Sequence, residues 1–457
     1  MASFRRVHNV LAVLSAIGVL FVGETQGAAP TTPIGVAKVD ITPETPVCMY
    51  GYASRKAESE GIAGRLHATA LAIGADAGVG PAVLLAVDCG AVPQDLRDEV
   101  YKRAAKKTSI APERFVLCNS HCHSGPNLKG MGSLKGEQRA HLERYRRQLA
   151  DRLVEVIGEA CKNRRPARLE IARGSVPVAA NRRVLTDGKW SGFGAVPGAP
   201  VDHELALLRV TDDEGKVMAL VTNYACHNTT LRGKFMEIHG DWAGSAQKFI
   251  EADHPGTKAL ITIGCGADSD PCPHGTVDLC DQHGRAIADE VTRLLGGPWK
   301  PITPTIAAQH KVLEVPWSRT PDMEAAEKVA KKSWAVKRLL DRLEAGEKPP
   351  VSRSFQITTW VFGDDLAMVF LTDEMVADYV LRLKKEFDPG RLWVSAYTND
   401  VSNYVVSPRI IEEGGYEARN SISSLVTYGQ PEKLEPPMMD RIVGAIGGML
   451  PEAFRGK

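Results

Sequence analysis

Pro81–Pro126 reads PAVLLAVDCGAVPQDLRDEVYKRAAKKTSIAPERFVLCNSHCHSGP. Pro81–Cys89 is short and almost continuously apolar, as expected of a strand buried on both faces. Gln94–Lys107 then takes up helical spacing, and Arg114–Asn119 returns to a strand-like run. Two buried strands joined by a helix make a β-α-β unit, and the residues just past the second strand are polar and histidine-rich. The same alternation continues along the chain. A long helix is expected over Glu137–Cys161, strands at Val217–Tyr224 and Ala259–Ile263, and helices at Ala243–Ala252 and Asp281–Leu295. Met368–Leu371 reads as a further strand, with a helix from about Asp373 to Phe387, and Met323–Glu347 as a charged helix that packs on the surface or, the less favoured reading, covers a pocket. The pattern predicts an α/β protein, a layered mixed β-sheet flanked by helices. The Pro-rich stretch Gly297–Pro304 marks a weak internal boundary, with Glu347–Val351 next.

The 457 residues carry 56 Lys+Arg against 55 Asp+Glu, a formal net charge of +1. That balance leaves no electrostatic footprint for nucleic acid or an anionic bilayer. The first 29 residues have a basic start (Arg5, Arg6, His8), the apolar run Val10–Gly23, and small residues at Gly27–Ala29. This is the pattern of a secretory signal peptide, and no other stretch is long and apolar enough to span a bilayer. The mature protein is expected to be secreted or periplasmic, without a transmembrane segment. Nine cysteines permit disulfides without defining a framework, and a local bridge among Cys265, Cys272 and Cys280 is one option.

Chemistry concentrates at strand ends. Asn119–Pro126 (NSHCHSGP) places His121 and His123 on alternate positions after a strand, so both can reach one cavity. Imidazole is the commonest metal ligand, although two loop histidines can also simply bond backbone. His227 follows the strand Val217–Tyr224 in the same way. In Leu371–Met375 (LTDEM) either Asp373 or Glu374 serves as a helix cap or as a site acid. Asn403–Ser407 (NYVVS) carries Tyr404, and Tyr416 lies twelve residues further on. Gly264–Pro271 (GCGADSDP) is either a turn offering N–H groups to an oxyanion or a tight turn closed by its own aspartates. GxSxG, P-loop, GxGxxG and HExxH motifs are absent, which argues against a standard serine hydrolase, an NTPase, a Rossmann dehydrogenase and a zincin.

In this order the motifs resemble the neutral ceramidase family. The HxHSGP segment, a later strand-end His, a strand-end Glu, and Tyr-Val followed by Tyr-Glu are collinear with it over about residues 34–430. The opening Gly35–Pro43 (GVAKVDITP), Gly51-Tyr52 and Asn181-Arg182 are similar to it as well. The resemblance implies a ceramidase-like catalytic domain over residues 30–457 and an exported, zinc-dependent hydrolase of an amide (N-acyl) bond. It further implies one Zn²⁺ per chain held by His121, His227, Glu374 and Tyr404. His123, Arg182 and Tyr416 would then face the substrate or handle protons, and the substrate would be a small or lipid-like N-acyl compound. Two features depart from the family. Its Gly-Asp-x-Ser-Pro turn reads Asp268-Ser269-Asp270-Pro271 here, which puts Asp270 at the serine position as a base or polar orienter. Ser269 points the opposite way along an extended segment. The sequence also ends where ceramidases continue into a β-sandwich domain, which makes ceramide one candidate substrate among several. Two other readings compete: a metal hydrolase of the amidohydrolase barrel type, and a non-catalytic secreted binding protein on a degenerate hydrolase scaffold.

Overall fold

A computed structural model describes residues 30–317, 323–348, 351–427 and 436–456. The signal-peptide expectation, residues 1–29, lies outside them. No helix among the described residues is long and apolar enough to cross a membrane.

Two β-sheets pack face to face with helices on their outer faces. The larger sheet runs Lys258–Ile263, Val217–Tyr224, Glu204–Asp212, Arg165–Ser175, Thr32–Asp40, His67–Ile73, Ala82–Val87 and Phe115–Asn119, and Lys300–Ile302 adds to Arg165–Ser175. Its interior pairings are antiparallel, whereas the outermost pair at each edge is parallel. Those parallel pairs are the two β-α-β units read from the sequence. The smaller sheet orders Ile306–Pro316, Ser352–Phe362, Leu366–Leu371 and Leu392–Ser395, and its last pair is again parallel. Both ends of the large sheet are open among the described residues, so the closed barrel of the amidohydrolase reading is ruled out.

Strict alternation distributes the core. Leu71, Leu84, Val116, Leu169, Leu208 and Leu260 project from one face of the large sheet onto Trp360, Phe362, Met368, Phe370 and Trp393 of the small one. The opposite face buries Val83, Leu85 and Leu117 under the helices Gln94–Thr108 and Gly136–Lys162. On the same face Leu220 and Ile261 lie under Asp241–Asp253 and Val277–Leu295. Such burial is worth roughly 1.5–3 kcal/mol per large side chain. Gly35 marks how close a helix comes to the sheet: a Cβ there would lie 2.1 Å from the Ala160 carbonyl oxygen. Backbone cannot yield as a side-chain tip can, so Gly35→Ala should lower unfolding stability by about 1–3 kcal/mol, read from the urea midpoint at unchanged m-value.

Three expectations need correction. Met323–Glu347 is two helices, Met323–Ala330 and Trp334–Glu344, broken where Ser333 caps the second by accepting the Val336 N–H. The inner face of the second buries Ala335, Val336, Leu339 and Leu340, so it is more than a solvated surface helix. The helix expected from Asp373 begins only at Ala377. Asp373 sits at φ +67°, and Glu374–Met375 instead pairs in parallel with Tyr404–Val405. Finally, all nine cysteines are free thiols, so Cys265, Cys272 and Cys280 form no bridge.

Candidate metal centre and active site

The candidate residues sit beyond the carboxyl ends of the parallel-paired strands, where an open α/β sheet has unoccupied space. His121 and His123 leave Phe115–Asn119, His227 leaves Val217–Tyr224, Asp270 follows Lys258–Ile263, and Glu374 follows Leu366–Leu371. The two sheets are stitched at this point. Asn399 donates its N–H to the Leu117 carbonyl (2.7 Å), and its side-chain oxygen accepts the Leu117 N–H (3.1 Å).

Backbone carbonyls orient two of the imidazoles. His121 Nδ1 lies 2.9 Å from the Gly90 oxygen and His227 Nδ1 lies 3.1 Å from the Gly266 oxygen. A carbonyl only accepts, so both rings carry their proton on Nδ1 and present an Nε2 lone pair. Both lone pairs face Glu374: His121 Nε2 is 3.3 Å and His227 Nε2 is 3.4 Å from Oε2. His123 Nε2 lies 3.2 Å from His121 Nε2, and the three imidazoles have ligand atoms within 4.8 Å of one another. Ligands about 2.0–2.1 Å from a tetrahedral Zn²⁺ are about 3.3–3.4 Å apart, which is the spacing seen here. His227 Nε2 and Glu374 Oε2 are buried without a hydrogen-bond partner in the structure. An orphaned lone pair beside an orphaned carboxylate oxygen is costly unless a cation joins them. Burial, then the neighbouring imidazoles and Arg182, holds His123 and His227 well below the ordinary histidine range, so both are neutral at pH 7. The donor set therefore fits a divalent metal.

Around this cluster a cavity of about 560 Å³ is lined by His123, His227, Arg182, Asp270, Tyr404 and Tyr416, with apolar walls that include Tyr52 and Phe193. Arg182 organises its floor. Its Nε donates to Glu417 (2.9 Å), Nη1 to Asp270 (3.0 Å) and Nη2 to the Tyr404 hydroxyl (3.1 Å). Burial pushes the Tyr404 phenol well above its usual range, the Glu374 carboxylate adds to the rise, and Arg182 opposes it. Tyr416 accepts a hydrogen bond from the Trp334 indole N–H (3.2 Å) and stacks edge-on to Tyr404.

Comparison with known proteins places the chain. Residues 33–265 match the family model described as neutral/alkaline non-lysosomal ceramidase, N-terminal. The chain belongs to the neutral/alkaline ceramidase family. It is 24% identical over 327 residues to neutral ceramidase 1 of Arabidopsis thaliana, covering 68% of this chain and 40% of that protein. It is 26% identical over 240 residues to neutral ceramidase A of Dictyostelium discoideum, covering 50% of this chain and 33% of the relative. The chain thus spans well under half the length of the curated relatives it matches. The fold resembles the neutral ceramidase from Pseudomonas aeruginosa (TM-score 0.69, 17% identity, 93% of this chain and 75% of that one). A ceramidase structure described as complexed with C2 aligns equally well (TM-score 0.70, 17% identity, 93% and 76%).

All eight residues singled out from the sequence of this ceramidase-family chain converge on one region. Asp373, the alternative to Glu374, points away: its carboxylate accepts the Ser402 and Asn403 N–H groups (2.8 and 3.0 Å) and pairs with Arg353. Glu374 is thereby freed for the cluster. In Gly264–Pro271 the N–H groups of Gly264, Gly266, Ala267 and Ser269 all donate to backbone carbonyls, as in a tight turn, but its aspartates do not close it. Asp268 accepts the Ala377 N–H and the Asn181 amide, and Asp270 pairs with Arg182 and Arg232. Gly266 is needed there, since a Cβ would lie 2.5 Å from the Cys226 nitrogen, and its carbonyl anchors His227. Ser269 and Asp270 do face opposite ways: Ser269 is wholly buried away from the cavity, and Asp270 enters it. Arg232, Tyr397 and Glu417 escaped the sequence reading. Arg232 binds the second oxygen of Asp270 (3.0 Å), and the Tyr397 ring lies against His121 (centroids 4.5 Å). An Arg in a loop and a Tyr in a turn carry no local signal; only Glu417 was adjacent to a recognised motif residue.

Proposed function

We propose that this chain is a zinc-dependent amide hydrolase acting on a lipid-like N-acyl substrate, ceramide among them. The supporting observation is the meeting of His121, His227 and Glu374 at tetrahedral spacing, with His227 Nε2 and Glu374 Oε2 buried and partnerless. In this reading the ion is held by those three residues and Tyr404, whose backbone pairs with that of Glu374. When bound, zinc acidifies a water and polarises an acyl carbonyl. The chain's own groups then divide the work. His123, neutral at rest and with a buried, partnerless Nδ1, relays a proton to the leaving nitrogen. Arg182 and the Tyr416 hydroxyl stabilise the developing oxyanion, and the apolar wall at Tyr52 and Phe193 receives the acyl chain. The segment 1–29 would export the enzyme, as its apolar run suggests.

Asp270 acts as an orienter rather than a base. Burial alone would raise its pKa, but Arg182 and Arg232 outweigh it and hold the carboxyl below its usual range. A doubly paired carboxylate is a poor proton acceptor near neutrality and a firm clamp on Arg182. A group held below its unfolded pKa of about 3.9 adds stability in full above that value and loses it as pH falls through the lower folded value. Asp270→Asn should therefore lower stability at pH 7 and flatten its decline below about pH 4, read from urea midpoints across pH.

The activity is tested by incubating zinc-loaded protein with N-acyl amines of graded acyl length, ceramide included. Equimolar amine and carboxylate are expected, and Glu374→Gln should abolish both. Absence of turnover with a full complement of zinc would favour the non-catalytic binding protein.

A further inference from the structure

Behind the Glu374–Tyr404 strand pair lies a second, larger cleft of about 910 Å³. Its polar lining is dominated by donors. Lys129 reaches Asp400 (2.6 Å), the Val401 carbonyl (2.6 Å) and the Ser402 hydroxyl (2.7 Å). Arg353 pairs with Asp373 and Asp400, each at 3.1 Å. These two cations and two carboxylates neutralise one another. Arg338 is left over: its guanidinium donates to the Ser402 carbonyl (2.6 Å), lies over the Trp334 ring, and pairs with no carboxylate among the described residues. Arg342 and Arg146 on the rim already have acidic partners.

A second observation points the same way. Asn403 lines this cleft and is 2% exposed, and its Nδ2 has no hydrogen-bond partner. Arg353 Nε donates to the side-chain oxygen (3.4 Å), which fixes the free atom as the NH₂ donor. A buried unmatched donor and a guanidinium without an ion-pair partner, lining one cleft, call for a ligand that carries negative charge and accepts hydrogen bonds. We propose that this cleft binds a small oxyanion, a carboxylate or phosphate group, between Arg338 and Asn403. Such a ligand would brace the active site from behind, since the Asn403 carbonyl accepts the Glu374 N–H (2.9 Å). The proposal does not rest on the hydrolytic reading.

The test is thermal unfolding of the whole protein in sodium acetate or sodium phosphate, balanced to constant ionic strength with sodium chloride. Wild type should show a saturating rise of about 2 °C in Tm at ten times Kd. Acetate acting alone identifies a carboxylate ligand and phosphate acting alone a phosphate. Arg338→Gln should weaken the apparent affinity at least tenfold. Arg338→Lys and Asn403→Ala, each keeping part of the site, should fall between if the first variant does not fold. An equal rise in wild type and variants, a rise that never saturates, or no rise at all overturns the proposal.

Discussion

His121→Ala is expected to yield a folded protein that no longer retains zinc through gel filtration and turns over N-acyl substrate at least roughly 10³-fold more slowly. That factor corresponds to about 4 kcal/mol of transition-state stabilisation, within what a lost metal centre removes. The effect should be large because His121 meets both Glu374 and His123 and is itself fixed by Gly90. Metal content by elemental analysis, beside kcat, separates the ligands from their neighbours. Glu374→Gln and Tyr404→Phe should release zinc or weaken its binding. His123→Ala should keep the ion and lose turnover, because in the proposed reading His123 carries a proton at its partnerless Nδ1 and is not one of the four ligands. Wild type without stoichiometric zinc, or His121→Ala with undiminished zinc, would remove the basis for the proposed chemistry.

The largest change in stability should come from Glu417→Ala. Glu417 is fully buried, receives the Arg182 Nε and is bonded to Arg183 Nη1. Deleting it leaves two buried guanidiniums with fewer counter-charges, and breaking such a pair by removing one partner typically costs about 3–5 kcal/mol. Unfolding in urea should show the midpoint fall by that equivalent at unchanged m-value. Glu417→Gln, which keeps the shape and loses the charge, should lie between. Activity should fall along with stability, because Arg182 would lose the anchor that aims Nη1 at Asp270 and Nη2 at Tyr404. Arg183 also pairs with Glu413 (3.1 Å), so a Glu417→Ala protein as stable as wild type would show that Asp270 and Glu413 suffice for the two arginines.

The elements that sequence reading placed well are those whose signal is local. Ala82–Val87, Phe115–Asn119 and Val217–Tyr224 are apolar runs bounded by polar residues, and Gly136–Lys162 has sustained helical periodicity. His121, His123 and His227 were legible because they follow such strands directly. Where expectation and structure differ, a distant contact intervened. The helix expected at Asp373 starts late because its carboxylate is claimed by Ser402 and Asn403, about thirty residues away. The break before Trp334 lets Ser333 donate its hydroxyl to the Arg419 carbonyl (2.7 Å).

The amino-acid order by itself determined which strands are buried and which loops carry imidazole and carboxylate, because each depends on spacing within a few residues, and the order of those motifs along the chain pointed to the family. Only the folded structure decided that Asp373 is drawn away from the cluster by Ser402, Asn403 and Arg353, that Asp270 is clamped between two arginines, and that Arg338 and Asn403 line a second cleft. Those outcomes depend on the parallel edge pairs and on one sheet packing against the other. Contacts across hundreds of residues follow from how the layers stack, and no local periodicity encodes them.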